Sequence, residues 1–202
     1  NGVMTLNNDL DMQDDDKILL GTGDDLQIYH DATDSHVADN GTGRLLVRTN
    51  GASINFLKDT SETMAVMNTD GAVVLYHDNS SKLSTTANGT TITGTLLATT
   101  DTDTSNTGSV TLDFATNQNF VLTFTGNVTF ANPTTEQVGQ SGIIVCIQDG
   151  TGSRTLSLGT DYETAGGAGI TLSTAANAVD IIPYFVKAAG SIQLGAVQKA
   201  FS

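Results

Sequence analysis

Two short stretches share a pattern that decides the fold class. Residues 26–31 read Leu-Gln-Ile-Tyr-His-Asp, and residues 73–78 read Val-Val-Leu-Tyr-His-Asp. Successive side chains of an extended strand point to opposite faces, so apolar residues at alternate positions predict a short β-strand. Because each copy is followed by a short polar turn and another strand-like run, the pair indicates an internal repeat.

Similar runs fill the chain around these two copies. They lie at residues 18–20, 26–30, 45–48, 54–57, 64–67, 73–77, 82–84 and 91–93. Turn sequences such as Asn40-Gly41, Asp70-Gly71 and Asn88-Gly89 separate them, and these residue pairs are favoured where φ is positive. No long stretch repeats apolar residues at helical spacing. The sequence therefore predicts an all-β protein.

The strands predicted in residues 1–98 have too few large apolar side chains to form a closed core in one chain. They carry one or two large apolar side chains per face, and the whole chain lacks Trp. A lone chain would expose strand edges and apolar stripes, whereas three copies around an axis would cover both. We expect residues 1–98 to be a repetitive, fibre-like shaft that forms a homotrimer.

The repeat also predicts which side chains face the trimer axis. By period-two alternation, three residues of each copy share one face of their strand. The predicted trimer-axis stripe is Leu26, Ile28, His30, Val73, Leu75 and His77. For His30 and His77 the favoured interpretation is a core histidine bonded to a neighbouring group, and the alternative is an axial metal or anion ligand. His36 is predicted to lie in a polar turn.

Residues 109–202 have enough apolar content for a core of their own. Candidate strands lie at residues 110–114, 120–125, 128–130, 142–148, 154–158, 170–172, 179–187 and 192–197, which predicts a β-sandwich or jelly-roll-like C-terminal domain. Pro183 interrupts one of these runs, so that strand is expected at an edge or with a bulge. Residues 99–108 are small and polar, and we interpret them as the linker between the domains.

The charge narrows the classes of partner. The chain of 202 residues has 22 acidic and 8 basic residues, a net charge of −14, which disfavours nucleic acid and anionic membranes as partners. No apolar run approaches the roughly 20 residues that span a bilayer. Residues 1–10 lack the features of a signal peptide.

The residues give no support for a catalytic or metal site. The single cysteine, Cys146, lies in a β-branched run and is interpreted as a core thiol rather than a nucleophile. The segment from Asp101 resembles the start of a calcium loop but lacks the required glycine and the closing glutamate. Glu136 and Glu163 lie in loop-like stretches. We expect no enzyme activity, no cofactor and no metal; a polysaccharide-degrading spike or a secreted adhesin remains the alternative.

Four stretches of the first half stand out: residues 20–31 (LGTGDDLQIYHD), 41–47 (GTGRLLV), 75–79 (LYHDN) and 90–96 (TTITGTL). They resemble repeats in structural fibre proteins of marine bacteriophages. In the second half, residues 126–133 (GNVTFANP), 139–142 (GQSG) and 148–155 (QDGTGSRT) are similar to a module near the C-termini of phage tail and fibre proteins.

The resemblance implies a β-rich homotrimer on the virion surface, as a tail or head appendage. It implies other virion proteins as partners and a role in host adhesion, through a host surface glycan or protein, or in virion decoration. It carries over no catalytic residues.

Overall fold

The structure is a computed structural model that describes residues 4–201. It confirms the all-β fold class: the described residues form sixteen strands and one short 3-10 turn, Ala165–Gly167. The chain divides into two compact units, Asn1–Gly94 and Thr95–Ser202, called here the N-terminal and C-terminal units. Within residues 4–201, no helix has the length and apolar character needed to cross a membrane.

The N-terminal unit begins with a three-stranded antiparallel sheet. Its strands are β1 (Ile18–Leu20), β2 (Leu26–His30) and β3 (Ser35–Asp39), in that order across the sheet. Asp31 fixes the β2–β3 turn, because its Oδ1 accepts hydrogen bonds from the backbone N–H groups of Thr33 (3.1 Å) and Asp34 (2.8 Å). Strand β3 has only Val37 as a large apolar residue, which is why the alternation did not predict it.

A second antiparallel sheet follows in the same unit. Its strands, each beside the next in the chain, are β4 (Ser53–Lys58), β5 (Glu62–Asn68), β6 (Val73–His77), β7 (Ser80–Thr86) and β8 (Gly89–Ile92). The β6–β7 turn consists of Asp78 and Asn79, both with positive φ, a conformation that Asp and Asn tolerate better than most residues. Residues 45–48, predicted as a strand, form none.

The C-terminal unit contains eight strands in one curled sheet. They are β9 (Thr100–Val110), β10 (Asn119–Phe130), β11 (Ser141–Gln148), β12 (Leu156–Leu158), β13 (Tyr162–Glu163), β14 (Val179–Ala188), β15 (Ser191–Leu194) and β16 (Gln198–Phe201). The order is β12-β10-β11-β14-β15-β13, with β9 paired to β10 and β16 paired to β14.

The buried core of this unit lies on one face of that sheet. Alternate residues of β10 are buried, among them Phe120, Leu122 and Phe124, as period-two alternation requires. Two irregular segments complete the core: residues 111–117 contribute Leu112 and Phe114, and Leu172 comes from the stretch before β14. Residues 111–114 and 170–172, predicted as strand, are thus core-forming but irregular.

Strand β9 occupies most of the segment predicted as a linker, residues 99–108, and corrects that interpretation. Its Thr-rich, polar sequence pairs in parallel with the apolar β10. Asn106 is buried, and its Nδ2 donates to the backbone oxygens of Asp103 (3.1 Å) and Thr123 (3.2 Å). The strand is therefore held by pairing and by one buried amide rather than by apolar side chains. The predicted division into domains remains a prediction.

Pro183 lies inside the sheet, in β14 between β11 and its other neighbours, and not at an edge. Its carbonyl oxygen accepts a hydrogen bond from the N–H of Gly195 (2.8 Å), in the interval where β15 has ended and β16 has not begun. The nitrogen of Pro183 faces the same interval, because N–H and C=O of one strand residue point to the same side. The missing donor is thus placed at a gap in the partner strands.

Candidate functional site

The first half of the predicted stripe lies on an apolar face of the β1–β3 sheet. Cross-strand neighbours share a face: Ile18 lies opposite Ile28, Leu20 opposite Leu26, and Ile28 also opposite Val37. His30 ends this row opposite Ser35. We call the five apolar residues Ile18, Leu20, Leu26, Ile28 and Val37 the first apolar face.

The second half of the stripe lies on a larger apolar face of the β4–β8 sheet. Leu75 pairs with Ala65 on one side and with Leu83 on the other, and Leu83 pairs with Ile92. One neighbouring row, in which Met67 pairs with Ile54 and Val73, is also apolar. We call these residues the second apolar face: Ile54, Phe56, Ala65, Met67, Val73, Leu75, Leu83 and Ile92.

The residues that the structure describes bury neither face. Among residues 4–94 no side chain is buried, and Phe56 and Leu75 remain 48% and 44% exposed. The strands β2 and β6 have the same pattern, with the tyrosine half-buried and the histidine exposed. The repeat therefore presents its apolar stripe outward in both copies.

The total surface area of the chain is also large for its mass. The chain exposes 13205 Å², whereas a compact monomer of 21.0 kDa would expose about 9,000 Å². Two separate domains of half that mass would still expose only about 10,900 Å². The excess exceeds the roughly 800 Å² that one partner buries in an ordinary protein interface.

The three histidines occupy different environments. His30 is exposed, with Nδ1 3.1 Å from the Ser35 hydroxyl, and His77 is exposed at the end of β6. His36 lies in β3, not in the polar turn predicted for it. Within residues 4–201, no three His, Cys, Asp or Glu side chains are grouped to hold a metal ion.

The opposite face of the first sheet contains a small polar cluster that the sequence did not reveal. The rings of Tyr29 and His36 stack with centroids 4.5 Å apart, and the Lys17 ammonium lies 4.1 Å from the centroid of Tyr29. His36 Nε2 lies 2.9 Å from the Asp31 carboxylate. The backbone N–H of Asp34, with His36 and Thr33, lowers the pKa of Asp31 to about 2. The sequence gives no direct sign of this cluster, because Tyr29 lies opposite His36 only when β2 pairs with β3.

The residues considered for catalysis have structural contacts. Burial raises the pKa of Cys146 to about 12, so the thiolate nucleophile is disfavoured. Glu136 Oε1 accepts a hydrogen bond from the Gly190 N–H (2.8 Å). Glu163 accepts a hydrogen bond from the Ser191 hydroxyl (2.6 Å) and forms an ion pair with Lys187 (3.1 Å). These two contacts lower the pKa of Glu163.

A comparison with protein families addresses the C-terminal unit. Residues 104–191, from within β9 to the start of β15, match the family model described as "Putative phage tail fibre C-terminal domain". The C-terminal unit is similar to a phage tail-fibre domain. No curated protein and no solved structure matches the chain.

The match to a phage tail-fibre domain supports the prediction of a phage fibre structural protein. It supports a structural role in the virion, association with other virion components, and location in a virion appendage. The matched segment covers less than half of the chain, and the two apolar faces lie outside it.

Proposed function

We propose that this chain is the subunit of a homotrimeric phage virion fibre, without enzyme activity, that serves host adhesion or virion decoration. The observation that carries the proposal is the uncovered apolar surface of the N-terminal unit. Thirteen residues of the two apolar faces come from eight strands that bury no side chain in one chain.

Association of three copies would cover the two apolar faces that a single chain leaves exposed. At about 25 cal/mol per Å² of apolar area removed from water, covering these faces contributes far more than any surface ion pair. A closed ring of three copies would use the same faces in every subunit and leave none exposed. In this arrangement the stripe that runs from Leu26 to His77 faces the axis, and the C-terminal unit, similar to a tail-fibre domain, contacts the host surface or the virion.

Light scattering on the purified full chain tests the proposal. We expect a mass of about three times the 21.0 kDa chain that persists on dilution. A folded species at the mass of one chain would contradict the proposal, because the apolar faces would then be stable in water without a partner.

A further inference from the structure

One strand-like segment pairs with no other segment among residues 4–201. Residues 44–48, Arg-Leu-Leu-Val-Arg, are called here the basic segment. Within residues 4–201 they form no strand, and no backbone or side-chain hydrogen bond is made there. The side chains of Leu45, Leu46 and Val47 are 48%, 55% and 67% exposed.

These properties conflict with the composition of the segment. Adjacent apolar residues that include a β-branched valine favour strand pairing over exposure as a surface coil. Exposed backbone N–H and C=O groups are available to an incoming strand edge. The basic segment therefore has the composition of a strand whose partner is another molecule.

The charge of the segment indicates which surface it fits. Arg44 and Arg48 are two of only 8 basic residues in the chain. The region just before the segment has the opposite character, with Lys17 as its only base. Its ten acidic residues are Asp9, Asp11, Asp14, Asp15, Asp16, Asp24, Asp25, Asp31, Asp34 and Asp39.

The β1–β3 sheet in this acidic region has an open edge on each side. Among the described residues, strands β1 and β3 each pair only with β2, and the first apolar face spans all three strands. Directly after β3 the chain is held beside the start of β2: the Asn40 N–H donates to Asp25 O (2.6 Å), and the Gly41 N–H donates to Asp39 Oδ1 (3.1 Å). The following basic segment lies unpaired.

We propose that the basic segment of one copy adds as a strand to an open edge of the β1–β3 sheet of a neighbouring copy. Leu45 and Val47, at alternate positions, extend the first apolar face, and Arg44 and Arg48 lie on the other side, near the aspartates. The inference depends on the proposed self-association, and it specifies one contact by which that association is made.

Hydrogen exchange by mass spectrometry on the assembled full chain tests this contact. The amides of residues 45–48 have no acceptor in a single chain, so intermolecular pairing is expected to slow their exchange at least about tenfold relative to an unstructured peptide. A trimer in which these amides exchange at the unstructured rate would overturn this inference but leave the proposed function intact. A folded monomer would overturn both.

Charge reversal gives a second readout. The double variant Arg44→Glu and Arg48→Glu is expected to lose the amide protection and to weaken association at least about tenfold, more at low than at high salt. The matched control is the double variant Lys82→Glu and Lys199→Glu. It changes the net charge by the same amount at two exposed lysines outside the basic segment. An equal effect of both double variants would overturn the inference, because net charge alone would then explain it.

Discussion

The N-terminal and C-terminal units use similar strands but differ in where their apolar side chains go. In the C-terminal unit, β10 alternates buried and partly exposed residues, and Phe120, Phe124 and Phe130 are all fully buried. In the N-terminal unit, Leu75 of β6 has apolar cross-strand neighbours on both sides, yet it is 44% exposed. Alternation therefore predicts a strand and its faces, but it does not say whether the apolar face is covered by the same chain.

Irregular segments of the chain cover the apolar face of the C-terminal sheet. Leu112, Phe114 and Leu172 close the core from segments without strand pairing. In the N-terminal unit no residue from 4 to 94 is buried, so its irregular segments 4–17 and 40–52 do not close a core over the sheets. This contrast is the physical basis for proposing that the cover comes from other copies.

The largest effect is expected from truncating a phenylalanine in each unit. Phe124 is fully buried and packs edge-on against Phe130. Replacing it with alanine should lower the free energy of unfolding of the C-terminal unit by about 3–5 kcal/mol. Phe56→Ala is the matched variant in the N-terminal unit. In a single chain it should change stability by no more than about 0.5 kcal/mol.

Denaturant unfolding followed by circular dichroism, with light scattering on the same samples, separates the two cases. Phe124→Ala should lower the stability of the C-terminal unit without changing the mass of the assembly. Phe56→Ala should instead weaken the assembly. If Phe56→Ala leaves both quantities unchanged, the second apolar face is not an interface.

A charge on the second apolar face should have the next largest effect. Leu75→Asp places a carboxylate between copies and should reduce the trimeric fraction strongly, since burying an unpaired charge costs several kcal/mol. Thr91→Asp, on the opposite face of the same sheet, is the control and should leave the trimer intact. Sedimentation velocity measures the fractions; similar sedimentation of the two variants would argue against a buried face.

The smallest effect is expected from two aspartates whose pKa values are both lowered to about 2, one in each unit. The Arg154 guanidinium and the N–H groups of Gly152 and Thr151 hold the Asp149 pKa low. The pKa of Asp31 is lowered mainly by the hydrogen bond from the Asp34 N–H. Each carboxylate stabilises the fold above its unfolded pKa of about 3.9, and this contribution is lost as the pH falls toward 2.

Asp149→Asn and Asp31→Asn should therefore each be less stable than the parent at pH 7 and nearly equal to it below pH 2. Thermal unfolding from pH 7 down to about pH 1 checks this. A difference that stays constant over the whole range would mean that the carboxylate charge is not the source of the stabilisation.

Most strands with apolar alternation were predictable from the sequence. Strand β6 has the bounds that the alternation gives, and β2 likewise, because each carries its own apolar stripe. Strand β9 could not be found this way: its residues are polar, and its pairing with β10 depends on a partner distant in sequence. Residues 120–125 and 128–130, predicted as separate strands, form the single strand β10, and Gly126 between them leaves room for Thr107 of β9.

The candidate site was predictable only in part. Period-two alternation places Leu26 with Ile28 and Val73 with Leu75 on common faces, as the strand registers have them. Their role as a trimer-axis stripe stays a prediction. The remaining members of the two faces depend on which strands pair and in what register, which a single sequence does not specify.

Thiol labelling of the assembled protein tests most directly whether other copies cover the second apolar face. Single cysteines at Leu75 and, as control, at Thr91 would be compared, since the native Cys146 is buried and its raised pKa keeps it unreactive. If other copies cover this face, Leu75→Cys reacts with a maleimide at least about tenfold more slowly than Thr91→Cys, and equally fast once denaturant separates the copies. Equal rates in the native protein would mean that Leu75 is not covered by another copy.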